Sequence, residues 1–154
     1  MTRSASFLFG ALLSSLAVVG CNGDSPTDPG TPVFLSGVWS GTISLHVAEE
    51  EPPVEGEMSC LFTPIASDEE PRVTAACSIQ SEWLTTNFAG EMTLDDVEPP
   101  ASFHLDTTYR SPRDCTGSLS LSGQATANRV TATANGVDCD DVPWTANLLL
   151  AEAP

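Results

Sequence analysis

The chain has 154 residues and a formal net charge of −16, because its 21 acidic residues face only five arginines and no lysine. Such a charge repels nucleic acid and anionic lipid headgroups, so the composition excludes a protein that binds polyanions. The length is enough for a short targeting segment followed by one domain with its own hydrophobic core.

Residues 1–20 have the layout of a secretory signal peptide. Arg3 supplies a positive charge near the N-terminus, and an uncharged, largely apolar run follows from residue 5 to residue 20. This run is shorter than the roughly 20 residues that a helix needs to cross a bilayer. A cleaved signal peptide is therefore a better interpretation than a permanent membrane span.

The run ends in Val18-Val19-Gly20-Cys21, with a branched aliphatic residue three places before the cysteine and a small residue directly before it. This tetrapeptide resembles the lipobox of bacterial lipoproteins. The resemblance implies that the peptide is cut before Cys21 and that the Cys21 sulfur carries a diacylglyceryl group, which would anchor the protein lastingly. An ordinary signal peptide, cut near a disulfide cysteine, is the competing interpretation.

The residue after the cysteine indicates which membrane of the envelope holds the protein. In the lipoprotein pattern of enteric bacteria, an aspartate at this place favours retention in the inner membrane. Asn22 stands there in this chain. The resemblance therefore implies a lipid-anchored protein of the cell envelope, located at the outer membrane on its periplasmic or surface face.

Residues 21–34 are predicted to form a flexible linker that carries the lipidated cysteine. Between Asn22 and Pro32 the chain has three prolines, two glycines and no large apolar side chain. Such a segment cannot bury enough surface to offset the entropy lost on ordering. Residues 35–154 are then left to form one folded domain.

Apolar and polar residues alternate with a period of two from Leu35 onward, which is typical of strands with one buried face. Eight such segments follow one another, and the stretch from Glu49 to Pro53 is expected to break the first from the second. We therefore predict an all-β domain, an antiparallel meander of about eight strands that closes into a small barrel, with a β-sandwich as the alternative. The predicted strands cover approximately residues 39–47, 57–64, 73–80, 88–94, 102–109, 118–123, 130–134 and 144–150.

The four cysteines of the folded domain are predicted to form two disulfides. Cys60 and Cys77 lie on the apolar faces of consecutive predicted strands, whereas Cys115 and Cys139 flank the sixth and seventh. Four cysteines allow three pairings. We predict Cys60–Cys77 and Cys115–Cys139, because the midpoint of each pair falls in a predicted turn, as cross-strand partners require.

Most of the acidic residues are grouped where turns are expected, and we predict that they lie in solvated loops. The group Asp138, Asp140 and Asp141 is the best candidate for a metal site, since three carboxylates could offer oxygen ligands to calcium. Its spacing is not that of an EF-hand. An exposed acidic turn pinned by a disulfide is the favoured interpretation, so no metal or cofactor is expected.

The sequence has no arrangement of residues that is typical of a catalytic site. His46 and His104 fall on the polar faces of predicted strands, and no serine lies in a Gly-x-Ser-x-Gly turn. Asp106 is two residues from His104 on the same face, where an exposed pair contributes little to stability. We therefore expect no enzymatic activity.

The segment Gly37-Val38-Trp39 resembles the Gly-x-Trp motif that opens the first strand of lipocalins. The resemblance implies that Trp39 plugs the closed end of an eight-stranded barrel and that the interior holds a small apolar ligand. Lipocalins also place a basic residue over this tryptophan, and residues 142–154 contain none. A tryptophan in the core of an unrelated β domain is the other interpretation.

These patterns predict a lipid-anchored, extracytoplasmic β domain of the cell envelope with a structural or protein-interaction role. The alternative is a lipocalin-like carrier or sensor of a small apolar ligand. The expected partners are the membrane, through the lipid on Cys21, and an envelope protein or an apolar ligand, but not nucleic acid. An internal cavity would favour the carrier, and a filled interior would favour the interaction domain.

Overall fold

The fold comes from a computed structural model that describes residues 30–47, 50–67 and 69–154. The predicted signal peptide, Cys21 and most of the predicted linker lie outside the described residues. Apart from a short 3₁₀ turn, Cys139–Asp141, the described residues contain no helix, and hence none that is long and apolar enough to cross a membrane.

Eight antiparallel strands form a closed barrel, in which each strand pairs with the next and the last pairs with the first. This confirms the predicted meander and decides for the barrel against the sandwich. Closure gives every strand a paired neighbour on each side for at least part of its length. The strands are β1 (Gly37–Val47), β2 (Glu50–Ile65), β3 (Arg72–Ser81), β4 (Thr85–Leu94), β5 (Ala101–Arg110), β6 (Thr116–Ala125), β7 (Val130–Val137) and β8 (Pro143–Glu152).

The second strand begins earlier than the sequence predicts. The stretch from Glu49 to Pro53 was expected to be a break, but β2 already starts at Glu50 and contains Pro52 and Pro53. The pairing of β2 with β3 starts only at Gly56, so the first part of β2 has a neighbour on one side alone. Proline has no N–H to donate to a neighbouring strand, and it is tolerated in this part of β2 because β3 does not pair with it.

Two buried tryptophans mark the two ends of the barrel. Trp39 lies opposite Glu152 near the start of β1, and Trp144 lies opposite Val47 at its end. The relative exposure of these tryptophans is 0% and 2%. We call the two ends of the barrel the Trp39 end and the Trp144 end.

Side chains fill the space beside the small inward-facing residues. A Cβ atom added to Gly117 would run into the ring of Tyr109, and one added to Gly136 would run into the ring of Trp144. A Cβ atom on Gly90 would come within 2.6 Å of a methyl carbon of Leu105. These glycines therefore make room for large neighbouring side chains.

The two disulfides join the same cysteines that the sequence analysis paired. Cys60 and Cys77 are directly opposite one another in β2 and β3, with their Cα atoms 4.1 Å apart. Cys115 and Cys139 link the β5–β6 loop to the loop between β7 and β8, with a Cα separation of 5.8 Å. The first disulfide thus lies in the core, and the second clamps two loops at the Trp144 end.

The substitution Gly136→Ala is expected to lower the free energy of unfolding by about 1–3 kcal/mol, because the new methyl group overlaps the ring of Trp144. Urea unfolding with the disulfides intact measures this change. Asn135→Ala is the matched control on the same strand, and it should change stability by less than about 0.5 kcal/mol because Asn135 is exposed. Equal stability of the two variants would contradict this packing.

Candidate functional site

A cluster of aromatic and charged side chains closes the Trp144 end of the barrel. We call Trp83, Tyr109, Arg113, Asp138 and Trp144 the Tyr109 cluster. Tyr109 and Trp144 are on strands β5 and β8, whereas the other three residues come from three different loops. The cluster therefore forms only when these loops fold over the end of the barrel.

A chain of two hydrogen bonds runs through the buried part of the cluster. The indole N–H of Trp144 donates to the Tyr109 hydroxyl at 2.9 Å, and this hydroxyl donates to a carboxylate oxygen of Asp138 at 3.3 Å. The side chain of Asp138 is only 3% exposed. Because an unpaired buried polar group is costly, each of these three groups depends on its neighbour.

Arg113 covers the cluster from the solvent side. Its Nε atom lies 3.9 Å from the second carboxylate oxygen of Asp138, so it counters the buried negative charge. Its guanidinium carbon is 5.7 Å from the centre of the Trp83 ring, within the range of a cation–π contact. Trp83 in turn packs edge-on against Trp144, with ring centroids 6.3 Å apart.

Burial raises the pKa of Tyr109 to about 12. Desolvation of the phenolate is the largest cause, and the negative charge of Asp138 adds to it, whereas the hydrogen bond from Trp144 acts in the opposite direction. Tyr109 therefore stays neutral at physiological pH. It acts as a donor that holds Asp138, not as a base or a nucleophile.

Asp138 was expected to belong to a solvated acidic turn, and this expectation is wrong, since the residue is 6% exposed. Its carboxylate is turned toward Tyr109, while Asp140 and Asp141 are exposed and have left-handed backbone angles, with φ of 61° and 57°. Local sequence could not reveal this, because the partner of Asp138 is 29 residues away.

The structure does not assemble the three aspartates of the calcium hypothesis. Within the described residues, one group of three potential ligand residues lies within metal-binding distance, and it consists of Cys115, Asp138 and Cys139. Its two sulfur atoms are joined in a disulfide. They are therefore not available as thiolate ligands.

The two histidines lie on strands that are not neighbours in the barrel, His46 on β1 and His104 on β5. His104 pairs with Asp106 at 2.8 Å, but the two side chains are 55% and 72% exposed. The hydrogen bonds from His104 and Ser120 lower the pKa of Asp106. This is a solvated surface pair, and the structure does not gather both histidines in one cleft.

Trp39 lies at the opposite end of the barrel from the Tyr109 cluster. Its indole N–H donates to the backbone carbonyl of Ser36 at 2.9 Å, and its ring packs edge-on against Phe62 with centroids 6.3 Å apart. The side chain is completely buried. Trp39 is thus a core residue whose polar atom is satisfied by the turn that precedes β1.

The clefts on the surface of the described residues include three with volumes of about 390, 470 and 560 Å³. The first runs along the outside of β1, β2 and β3, and the second crosses the outside of β5 to β8. The third lies between two loops at the Trp39 end. All three are lined mainly by outward-facing or loop residues, in contrast to a ligand pocket inside a barrel.

Charge is distributed unevenly over the outer surface. Four adjacent strands, β6, β7, β8 and β1, carry no Asp, Glu, Lys or Arg at their outward-facing positions. We call this surface the uncharged wall; exposed acidic residues lie in loops at both ends of the barrel. The wall consists of Thr116, Ser118, Ser120, Ser122, Gln124, Thr131, Thr133, Asn135, Val137, Pro143, Thr145, Asn147, Leu149, Ala151, Val38, Ser40, Thr42, Ser44 and His46.

No protein family model matches the chain, and no curated protein is significantly similar to it. The Tyr109 cluster must therefore be interpreted from its own geometry. Its polar groups satisfy one another and join two strands to three loops, so it is suited to closing the barrel. The sequence analysis missed it, although strand order alone places the end of β5 and the start of β8 at the same end of a meander barrel.

In the native protein, tyrosinate should form near pH 12 instead of pH 10, because burial raises the pKa of Tyr109. The unfolded chain releases this proton first, so the free energy of unfolding should fall as the pH rises from about 10 toward about 12. Tyr109 is the only tyrosine, and the chain has no lysine to titrate alongside it. The near-ultraviolet absorbance of tyrosinate and urea unfolding at each pH measure the two effects.

Tyr109→Phe should abolish this alkaline loss of stability and cost about 1–3 kcal/mol at neutral pH, because Trp144 and Asp138 each lose a partner. Thr108→Ala, at the exposed neighbouring position, is the control. Tyrosinate formation near pH 10 in the folded protein would contradict the buried hydrogen-bond chain.

Proposed function

We propose that the protein is a lipid-anchored β-barrel domain of the bacterial cell envelope, with a structural or protein-interaction role and no enzymatic activity. The observation that carries this proposal is the filled interior. The inward-facing side chains form one hydrophobic cluster that runs from Trp39 to Trp144, and large side chains occupy the space beside the glycines. A barrel packed in this way acts through its outer surface.

The use of the cysteines supports the anchor. Four of the five cysteines are consumed by two disulfides within the described part of the chain. Cys21 is then not needed for a disulfide inside the domain, which agrees with lipidation of its sulfur. The lipobox resemblance and Asn22 support a location at the outer membrane.

The uncharged wall supports an interaction role. Covering a charged surface requires each charge to be paired or desolvated at high cost. The wall contains none at its outward-facing positions, whereas a chain with a net charge of −16 repels acidic partners at its loops. An envelope protein could therefore cover the wall at a lower cost than either end of the barrel.

A lipocalin-like carrier of a small apolar ligand is the second candidate. It is favoured by the closed eight-stranded meander and by the burial of Trp39 at the end where β1 begins. Gly37, at the start of the same strand, has a φ of 80° that suits glycine. The filled interior argues against this candidate, because binding would require core side chains to move.

Expression in a bacterium with a lipoprotein pathway tests the anchor. The wild-type protein should appear in the membrane fraction, without residues 1–20 and with the added mass of its acyl chains, whereas Cys21→Ser should lack this mass and leave the membrane. Asn22→Asp is the matched control, since it should keep the lipid and shift the protein toward the inner membrane. A soluble wild-type protein with unmodified Cys21 would refute the anchor.

Titration with a fluorescent fatty acid distinguishes the two candidates. The wild-type domain should show no saturable binding of one probe per chain, because its interior is occupied. A lipocalin that binds the same probe is the positive control. Saturable binding by the wild type would favour the carrier.

A further inference from the structure

The two disulfides differ in their access to solvent. Cys60 and Cys77 are 1% and 4% exposed and face each other within a continuous strand ladder. Cys115 and Cys139 are half-buried and lie in loops. Because thiol–disulfide exchange requires a thiolate to reach a sulfur atom, the second disulfide is the more open of the two to attack.

Strained backbone surrounds the accessible disulfide. Within the described residues, the non-glycine residues with left-handed φ angles are Asp114, Asp140 and Asp141, at 69°, 61° and 57°. Asp114 directly precedes Cys115, and the other two directly follow Cys139. Strained backbone conformations persist only where the surrounding structure holds them in place, and they concentrate at functional and switching sites.

The burial of the Asp138 carboxylate also depends on the Cys115–Cys139 disulfide. Asp138 is the residue before Cys139, and its carboxylate lies 4.0 Å from the sulfur of Cys115. The side chain stays buried only while the loop between β7 and β8 remains against Tyr109 and Arg113. Opening the disulfide allows the strained backbone to relax and the carboxylate to reach water.

We propose that Cys115–Cys139 is a thiol–disulfide exchange site whose co-substrate is a dithiol, and that Cys60–Cys77 is a permanent staple. One thiolate of the dithiol attacks a sulfur of the bond, and the other sulfur leaves as a thiolate and takes up a proton. The second thiol of the dithiol then resolves the mixed disulfide. Two electrons and two protons are transferred to Cys115 and Cys139, and the dithiol becomes a disulfide.

Reduction has a local consequence. The β5–β6 loop and the loop between β7 and β8 separate, Asp138 leaves Tyr109, and the Trp144 end loses its cover. The barrel itself persists, because the eight-strand ladder and Cys60–Cys77 are unaffected. This exchange site goes beyond the proposed function, since neither the anchor nor an interaction role requires a reducible bond.

The test is a titration of the purified full-length protein, taken from whichever fraction holds it, with dithiothreitol at neutral pH. Free thiols are blocked by alkylation and located by peptide mass spectrometry. Cys115 and Cys139 should be labelled together at reductant concentrations that leave Cys60 and Cys77 unlabelled. The far-ultraviolet circular dichroism of the barrel should remain unchanged over this range.

A second measurement follows the opening of the cluster. In the selectively reduced protein, tyrosinate should form at lower pH than in the oxidised protein, moving from about 12 toward the ordinary value near 10. The double variant Cys115→Ser with Cys139→Ser should show the same shift without reductant.

Asp140→Gly should raise the dithiothreitol concentration needed for reduction several-fold, because glycine adopts a positive φ without strain. Asp95→Gly, in an exposed loop, is its control.

Three results would overturn the proposal. The first is reduction of both disulfides over the same concentration range. The second is loss of the barrel when Cys115–Cys139 opens, and the third is an unchanged tyrosinate titration in the selectively reduced protein. Each is read from the wild-type chain, so the test does not depend on the folding of any variant.

Discussion

The pairing of β8 with β1 is the constraint on which the rest of the structure depends. It closes the sheet, so every strand has two neighbours and every second side chain points into a shared interior. An interior enclosed by eight strands is narrow enough to be filled by side chains, and in this chain Trp39 and Trp144 occupy its two ends. Because closure encloses the interior, the side chains that a ligand or a partner can reach lie at the two ends of the barrel and on its outer surface.

The two ends are closed in different ways. At the Trp39 end, a buried indole finds its acceptor on the backbone of the preceding turn. At the Trp144 end, the indole donates to Tyr109, which donates to a buried carboxylate beside a disulfide. The first closure is local in sequence and needs one hydrogen bond to the backbone, whereas the second brings three loops together around polar and aromatic side chains. The second also has a disulfide that joins two of its loops.

The outer surface separates charge from the uncharged wall. Exposed acidic residues lie in the loops and on β2, β4 and β5, whereas the outward-facing positions of four adjacent strands present hydroxyl, amide and apolar side chains and one imidazole. This arrangement leaves a broad surface free of charged side chains on a highly acidic chain. The proposed lipid on Cys21 would hold this surface close to a membrane, within reach of envelope proteins.

Sequence alone was sufficient for the eight strands, their meander order and the disulfide pairs, because these follow from alternation along a strand and from symmetry about a turn. It left the barrel and the sandwich as alternatives, and the pairing of β8 with β1 decided between them. A period of two determines which side chains of Val130–Val137 point inward, and a symmetric position about a turn brings Cys60 opposite Cys77. The early start of β2 was missed, because Pro52 and Pro53 look like strand breakers in the sequence. They are tolerated there because β3 begins to pair with β2 only at Gly56.

The candidate site was decided by tertiary structure alone. Asp138 looks like a solvated loop residue until the barrel places the end of β5 beside it, and its partner Tyr109 is 29 residues away. The different exposure of the two disulfides has the same origin, since one lies within a ladder and the other joins two loops. The alternation of buried and exposed side chains along a strand is determined by adjacent residues. The burial of a charge depends on groups that are distant in sequence and that only closure of the barrel brings together.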